Sequence, residues 1–99
     1  MFIVLLTFAE HKSRAPELMA GHNAWLKQGF EDGVFMLAGS LQPNQGGAIL
    51  AHNTDLESLL QRVNDDPFVA AGVVRSEILE ITPAKADTRL AFLMDGVAA

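Results

Sequence analysis

Apolar positions along the chain follow two rhythms. Phe2-Ile3-Val4-Leu5-Leu6-Thr7-Phe8 is a β-branched and aromatic run that predicts a strand, and it is apolar at odd and even positions alike. A strand covered on both sides reads this way. From Pro16, which suits the first turn of a helix, the period changes. Leu18, His22, Trp25, Leu26 and Gly29 fall at i, i+4, i+7, i+8 and i+11, one stripe of a helix that Asp32-Gly33 ends. Val34 to Leu41 is strand-like again and again apolar on both faces.

Gln42 to Gly47, with Pro43, Asn44 and a Gly-Gly pair, predicts a hairpin loop, and the return strand runs from about Ala48 to His52. Thr54-Asp55-Leu56-Glu57 reads as a capping box with Thr54 at the N-cap. Leu56, Leu59, Leu60 and Val63 then form the expected core face of a second helix. A last strand, Val73 to Thr82, has two mixed faces and suits a sheet edge. The order β-α-β-β-α-β predicts an α+β, ferredoxin-like fold with a four-stranded antiparallel sheet and both helices on one face. The opposite face would then be apolar and bare, so a second copy of the chain is the expected cover, giving a homodimer. Residues 1–83 form the expected domain. Residues 84–99 form a tail, polar to Arg89 and apolar at Leu90-Ala91-Phe92-Leu93-Met94, that adds a strand, packs on the domain or the dimer partner, or ends partly disordered.

Composition narrows the class. The chain has 99 residues, of which 49% are hydrophobic, and this excess is explained most cheaply by a second buried face. The apolar run Met1 to Ala9 is about half of the roughly 20 residues a membrane helix needs, and it lacks the basic start of a signal peptide. Seven basic against twelve acidic residues give a net charge of −5, the wrong balance for gripping nucleic-acid phosphates. Without cysteine there is no disulfide, thiolate nucleophile or thiolate metal site. The reading is a cytoplasmic protein whose partners are a small molecule and its own copy, with neither nucleic acid nor membrane among them.

Three histidines carry the candidate chemistry. His11 and His52 lie at strand ends and read as exposed polar residues. His22 differs, because it stands in the apolar stripe between Leu18 and Trp25. It reads either as a satisfied core histidine or as a proton shuttle in a half-buried setting. In "NDDPFVAAGV" (Asn64 to Val73), Asp66 is placed as an N-cap with Pro67 at N1 and Gly72 closing the turn. A carboxylate held that way is also suited to orienting an imidazole. Spacing alone does not bring Asp66 and His22 together. Gly46-Gly47 is a turn rather than a phosphate loop, Ser40 lacks a nucleophile elbow, and the dispersed histidines have no metal-ligand spacing.

"GHNAWLKQGFEDGVFMLAGSLQP" followed by "NDDPFVAAGVVRSEILEI" resembles the YciI-like (YCII-related) proteins over about residues 1 to 83. The shared features are a helix histidine, the Gly33-to-Gly39 stretch, and Asp-Pro-Phe before a small-residue run. The resemblance implies a ferredoxin-like fold forming dimeric α+β barrels, and an active-site His-Asp pair that maps onto His22 and Asp66. It also implies kinship with a dehydrochlorinase of chlorinated hydroxyhydroquinone and a fold similar to muconolactone isomerase. Ser40 stands where many members have proline, and the tail is longer than in minimal members; both bear on the substrate. The expected function is a cofactor-independent lyase or isomerase, of proton-transfer or dehydrohalogenation type, on a small cyclic or aromatic-derived metabolite. His22 and Asp66 are its catalytic pair, and Ser40 and Trp25 line its substrate pocket. No metal or cofactor enters this reading. The alternatives are a non-catalytic small-ligand-binding or accessory dimeric module and a cofactor-free oxygenase.

Overall fold

A computed structural model describes residues 1–94 of the chain. Seven elements follow in order: β1 (Phe2–Phe8), α1 (Ala15–Glu31), β2 (Phe35–Leu41), β3 (Gly46–Ala51), α2 (Leu56–Asn64), a single-turn α3 (Pro67–Ala70) and β4 (Val74–Glu80). The strands form one sheet in the order β2-β3-β1-β4. All three pairings are antiparallel, so β4 and β2 are the edges. The expected ferredoxin-like α+β fold is present, with β4 at an edge as its mixed faces predicted.

Facing rows across the sheet separate two surfaces. Val4 pairs with Ile49 and Ile78, and Ile49 with Ala38. Val4 and Ile49 of this row lie in the core with Phe2, Phe35, Ala51, Leu59, Val63 and Val73; Ile78 packs against it, and Ala38 stays exposed. Each buried Val, Leu, Ile or Phe side chain here, sealed from water, contributes about 1.5–3 kcal/mol. The other face carries Leu37, Leu50, Ile3 and Leu79 in one row across all four strands. Leu37 is 54% exposed and Leu79 42%. The apolar second face read from β1 and β2 is therefore real and open in the single chain.

Three local expectations give way. Gly46 and Gly47 belong to β3, not to the loop, and pair with Leu41 and Ser40. A Cβ at Gly46 would run into the Leu6 carbonyl, so the strands approach too closely there for any other residue. The N-cap of α2 is Asp55, not Thr54: its carboxylate accepts the Ser58 N–H at 2.8 Å. Asn53, at φ 54°, turns the chain one residue later than the capping-box spacing assumed and donates its amide to the Gly33 carbonyl. Leu56 and Leu60 are exposed, while Leu59 and Val63 are fully buried. At 100° per residue, Leu56 and Leu60 sit on the flank of α2 opposite Arg62, which is turned toward α1.

Arg62 Nη2 lies 3.0 Å from Asp32 Oδ2 at the end of α1. Hydrogen bonds from the Gln28 amide and then from Arg62 hold the Asp32 carboxyl below its ordinary range. Hydrogen bonding from Ser58 does the same for Asp55.

Among the described residues the tail adds no strand. The Asp87 carboxylate accepts the Arg89 backbone N–H at 2.9 Å, starting a local turn, and 3₁₀ turns kinked at Leu90 follow over Thr88–Met94. Its Phe92 ring meets His52 edge-on at 5.5 Å, so His52 is half-buried rather than exposed. Residues 95–99, the end of the expected tail, lie outside the described residues. No helix among the described residues is long and apolar enough to cross a membrane.

Candidate active site

Helix α1 lies on the sheet through the predicted stripe. Leu18, Trp25 and Leu26 pack against the core, and Gly29 is buried. His22 is part of this stripe, and its side chain is 13% exposed. Gly21, beside it, allows α3 to come close, since a Cβ there would stand only 3.2 Å from Pro67 Cγ.

Asp66 is the N-cap of α3, with extended backbone (φ −63°, ψ 124°) and Pro67 following. Its Oδ1 accepts the Phe68 backbone N–H at 3.1 Å. The same oxygen lies 2.8 Å from His22 Nδ1. Capping and pairing, the two roles left open by the sequence, are thus played by one oxygen. Asp66 is wholly buried, and its Oδ2 has no hydrogen-bond partner among the described residues. A carboxylate only accepts hydrogen bonds, so the proton between the two groups belongs on Nδ1. That leaves Nε2 of the neutral imidazole as the basic nitrogen.

Aromatic rings surround the imidazole. Phe68 is stacked on it at 4.0 Å between centroids, with 6° between planes. Trp25 is farther, at 5.8 Å and 30°. The expected role of Trp25 in the pocket gives way: its indole N–H donates to the Arg62 carbonyl at 2.9 Å, and its ring meets Phe35 edge-on. Trp25 lies about 60° to one side of His22 around α1, the side turned to α2.

On the opposite side, Met19, Asn23 and Leu26 overhang an open cavity of about 300 Å³. Its far wall is the helix-facing side of β2 and β3, where Ala38, Ser40 and Gly47 are small. Large side chains there would fill the space. Ser40 lines the cavity, and His22 and Phe68 line it too. Asn23 was missed by the stripe argument, though its position one residue after His22 turns it toward this side. The wall is mainly apolar, and its polar side chains are those of His22, Asn23 and Ser40. A cavity of this size suits a single ring with small substituents. His11 and His52 do not reach it: His11 Nδ1 lies 3.1 Å from the Ala71 carbonyl, and His52 meets the tail.

These features define an α+β protein of ferredoxin-like topology with a small, mainly apolar cavity beside a buried His-Asp pair. The family model of the YCII-related domain matches residues 1–84, and the chain belongs to that family. Among solved structures, the fold is similar to that of 5-chloro-2-hydroxyhydroquinone dehydrochlorinase from Burkholderia phenoliruptrix in complex with 2,5-dihydroxybenzoquinone. The TM-score is 0.65 at 14% identity, covering 82% of this chain and 93% of that one. No curated protein matches the chain by sequence.

Proposed function

We propose that the protein is a cofactor-independent lyase or isomerase acting on a small single-ring metabolite, with His22 as the proton-moving group. The observation that carries this reading is the 2.8 Å contact of His22 Nδ1 with Asp66 Oδ1 at the wall of a cavity of about 300 Å³. Nε2 accepts a proton from the ring or its hydroxyl. In an elimination, the bond to the leaving group breaks with its electron pair and halide departs, so the elements of a hydrogen halide are lost. In an isomerisation, the imidazolium returns the proton to a different atom. Asp66 keeps Nδ1 protonated and compensates the charge that His22 gains. Positioned acid–base groups of this kind contribute typically about 10²–10⁴-fold. The fold shared with a dehydrochlorinase supports elimination as the first chemistry to assay.

The outer row of Leu37, Leu50, Ile3 and Leu79 supports a homodimer closed face to face, a dimeric α+β barrel. In this arrangement residues 1–83 make the barrel and the tail is an addition to it.

The direct test is a panel of hydroxylated and chlorinated single-ring compounds, followed by product formation and chloride release. His22→Asn is the informative variant, because its amide nitrogen replaces Nδ1 toward Asp66 and nothing replaces Nε2. Turnover by the wild type that His22→Asn loses supports the reading. Saturable binding without conversion moves the protein to the non-catalytic module, and full activity in His22→Asn overturns the role of His22.

A further inference from the structure

We infer that Phe68 is the positioning residue of the site, holding both members of the pair at once. The sequence ties it to Asp66 by two residues, and α3 turns this into geometry. Its backbone N–H is donated to Asp66 Oδ1 at 3.1 Å, the oxygen that also faces His22 Nδ1. Its ring lies flat on the imidazole at 4.0 Å and 6°. Phe68 as a whole is 6% exposed, so the contact is shielded from water.

The hydrogen bond at Nδ1 restrains χ1 and χ2 of His22, but its tolerance in distance and angle still lets the ring plane tilt. The Phe68 face limits this tilt by holding the ring plane, and with it the line along which Nε2 points. Trp25, at 30° and 5.8 Å with its N–H taken by the Arg62 carbonyl, is too tilted and distant to do so. Phe68 also lines the cavity, so the residue that sets the imidazole plane borders the space where a ligand ring would lie. The ring's negative face favours a cation above it, so the contact strengthens as His22 takes up a proton.

This inference rests on the proposed role of His22 for its catalytic meaning, but its test needs no substrate. The imidazole signals of His22 are followed by NMR in the wild type, Phe68→Leu and Phe68→Tyr. Phe2→Leu, a similar truncation at the far end of β1, controls for lost stability. In the wild type, the Phe68 ring current shifts the His22 ring protons upfield, and the Nδ1 proton exchanges slowly. Phe68→Leu abolishes the upfield shift and speeds Nδ1–H exchange roughly two- to tenfold, the loss expected for one aromatic pair. Phe68→Tyr and Phe2→Leu keep both signatures. A Phe68→Leu protein with the wild-type shifts and exchange rate overturns the inference and leaves Phe68 as core filling only. Loss of the signatures in Phe68→Leu, with no turnover found for the wild type, sustains the inference and counts against the enzymatic reading alone.

Discussion

His22 Nδ1 and Asp66 Oδ1 lie 2.8 Å apart although 44 positions separate them in the chain. Asp66 is wholly buried, and among the described residues its carboxylate accepts one other hydrogen bond, from the Phe68 N–H. Removing the imidazole would therefore leave a buried carboxylate almost unpartnered. His22→Ala is expected to lose about 3 kcal/mol in urea denaturation, the scale for breaking a buried pair. His22→Asn loses less, because its amide still reaches Oδ1. Adding Asp66→Asn to His22→Ala restores part of the loss, and strictly additive effects would show that the two groups are not coupled.

Gly29 and Gly21 lie on α1 and meet different neighbours. A Cβ at Gly29 would enter the ring of buried Phe35, whereas one at Gly21 would press on Pro67 at 3.2 Å. Alanine is the better helix former by about 1 kcal/mol. Gly29→Ala is nonetheless expected to destabilise by about 1–3 kcal/mol through overpacking. Gly21→Ala should gain less than the propensity difference. Thermal or urea unfolding of the two variants side by side checks the order.

The exposed outer row gives a prediction about assembly. Leu37→Glu places a charge at the 54% exposed position without touching the helix-facing core. Sedimentation velocity should find the wild type dimeric and Leu37→Glu shifted toward monomer with its circular dichroism unchanged. A wild type that is monomeric at micromolar concentration contradicts the barrel.

Acid should weaken the fold through Asp32 and Asp55. Gln28 and then Arg62 favour the ionised Asp32, and Ser58 the ionised Asp55, so both titrate lower in the folded chain than in the unfolded one. Their stabilisation is fully present above the ordinary carboxyl range, about pH 4, and fades as pH falls through the lower folded-state values. Asp32→Asn and Asp55→Asn should each be less stable than wild type at neutral pH, with the gap narrowing toward pH 3. Urea midpoints across this range measure it.

Much of this was legible in the sequence because periodicity reports burial directly. The stripe from Leu18 to Gly29 marks the face that α1 lays on the sheet, and His22 stood out by interrupting it. Asp66-Pro67 announced a cap for the same local reason. The link between them was not legible, since it depends on how closely α1 and α3 pack, which Gly21 and Pro67 settle in three dimensions. Trp25 was misplaced because a stripe is wider than a pocket: a rotation of about 60° separates the side facing α2 from the side facing the cavity. Thr54 and Asp55 are near-equivalent caps, so only the turn at Asn53 decides between them. Gly46-Gly47 looked like a loop because glycine permits both a turn and a close strand crossing.

The central claim is that Asp66 keeps the His22 proton on Nδ1 and leaves Nε2 of this cavity-lining residue unprotonated. Long-range ¹H–¹⁵N correlation of the His22 ring tests it most directly, taken at about pH 9, above the ordinary imidazole range. The account predicts a protonated Nδ1 and an unprotonated Nε2. A neutral ring with its proton on Nε2 would set two acceptors face to face and contradict the pair.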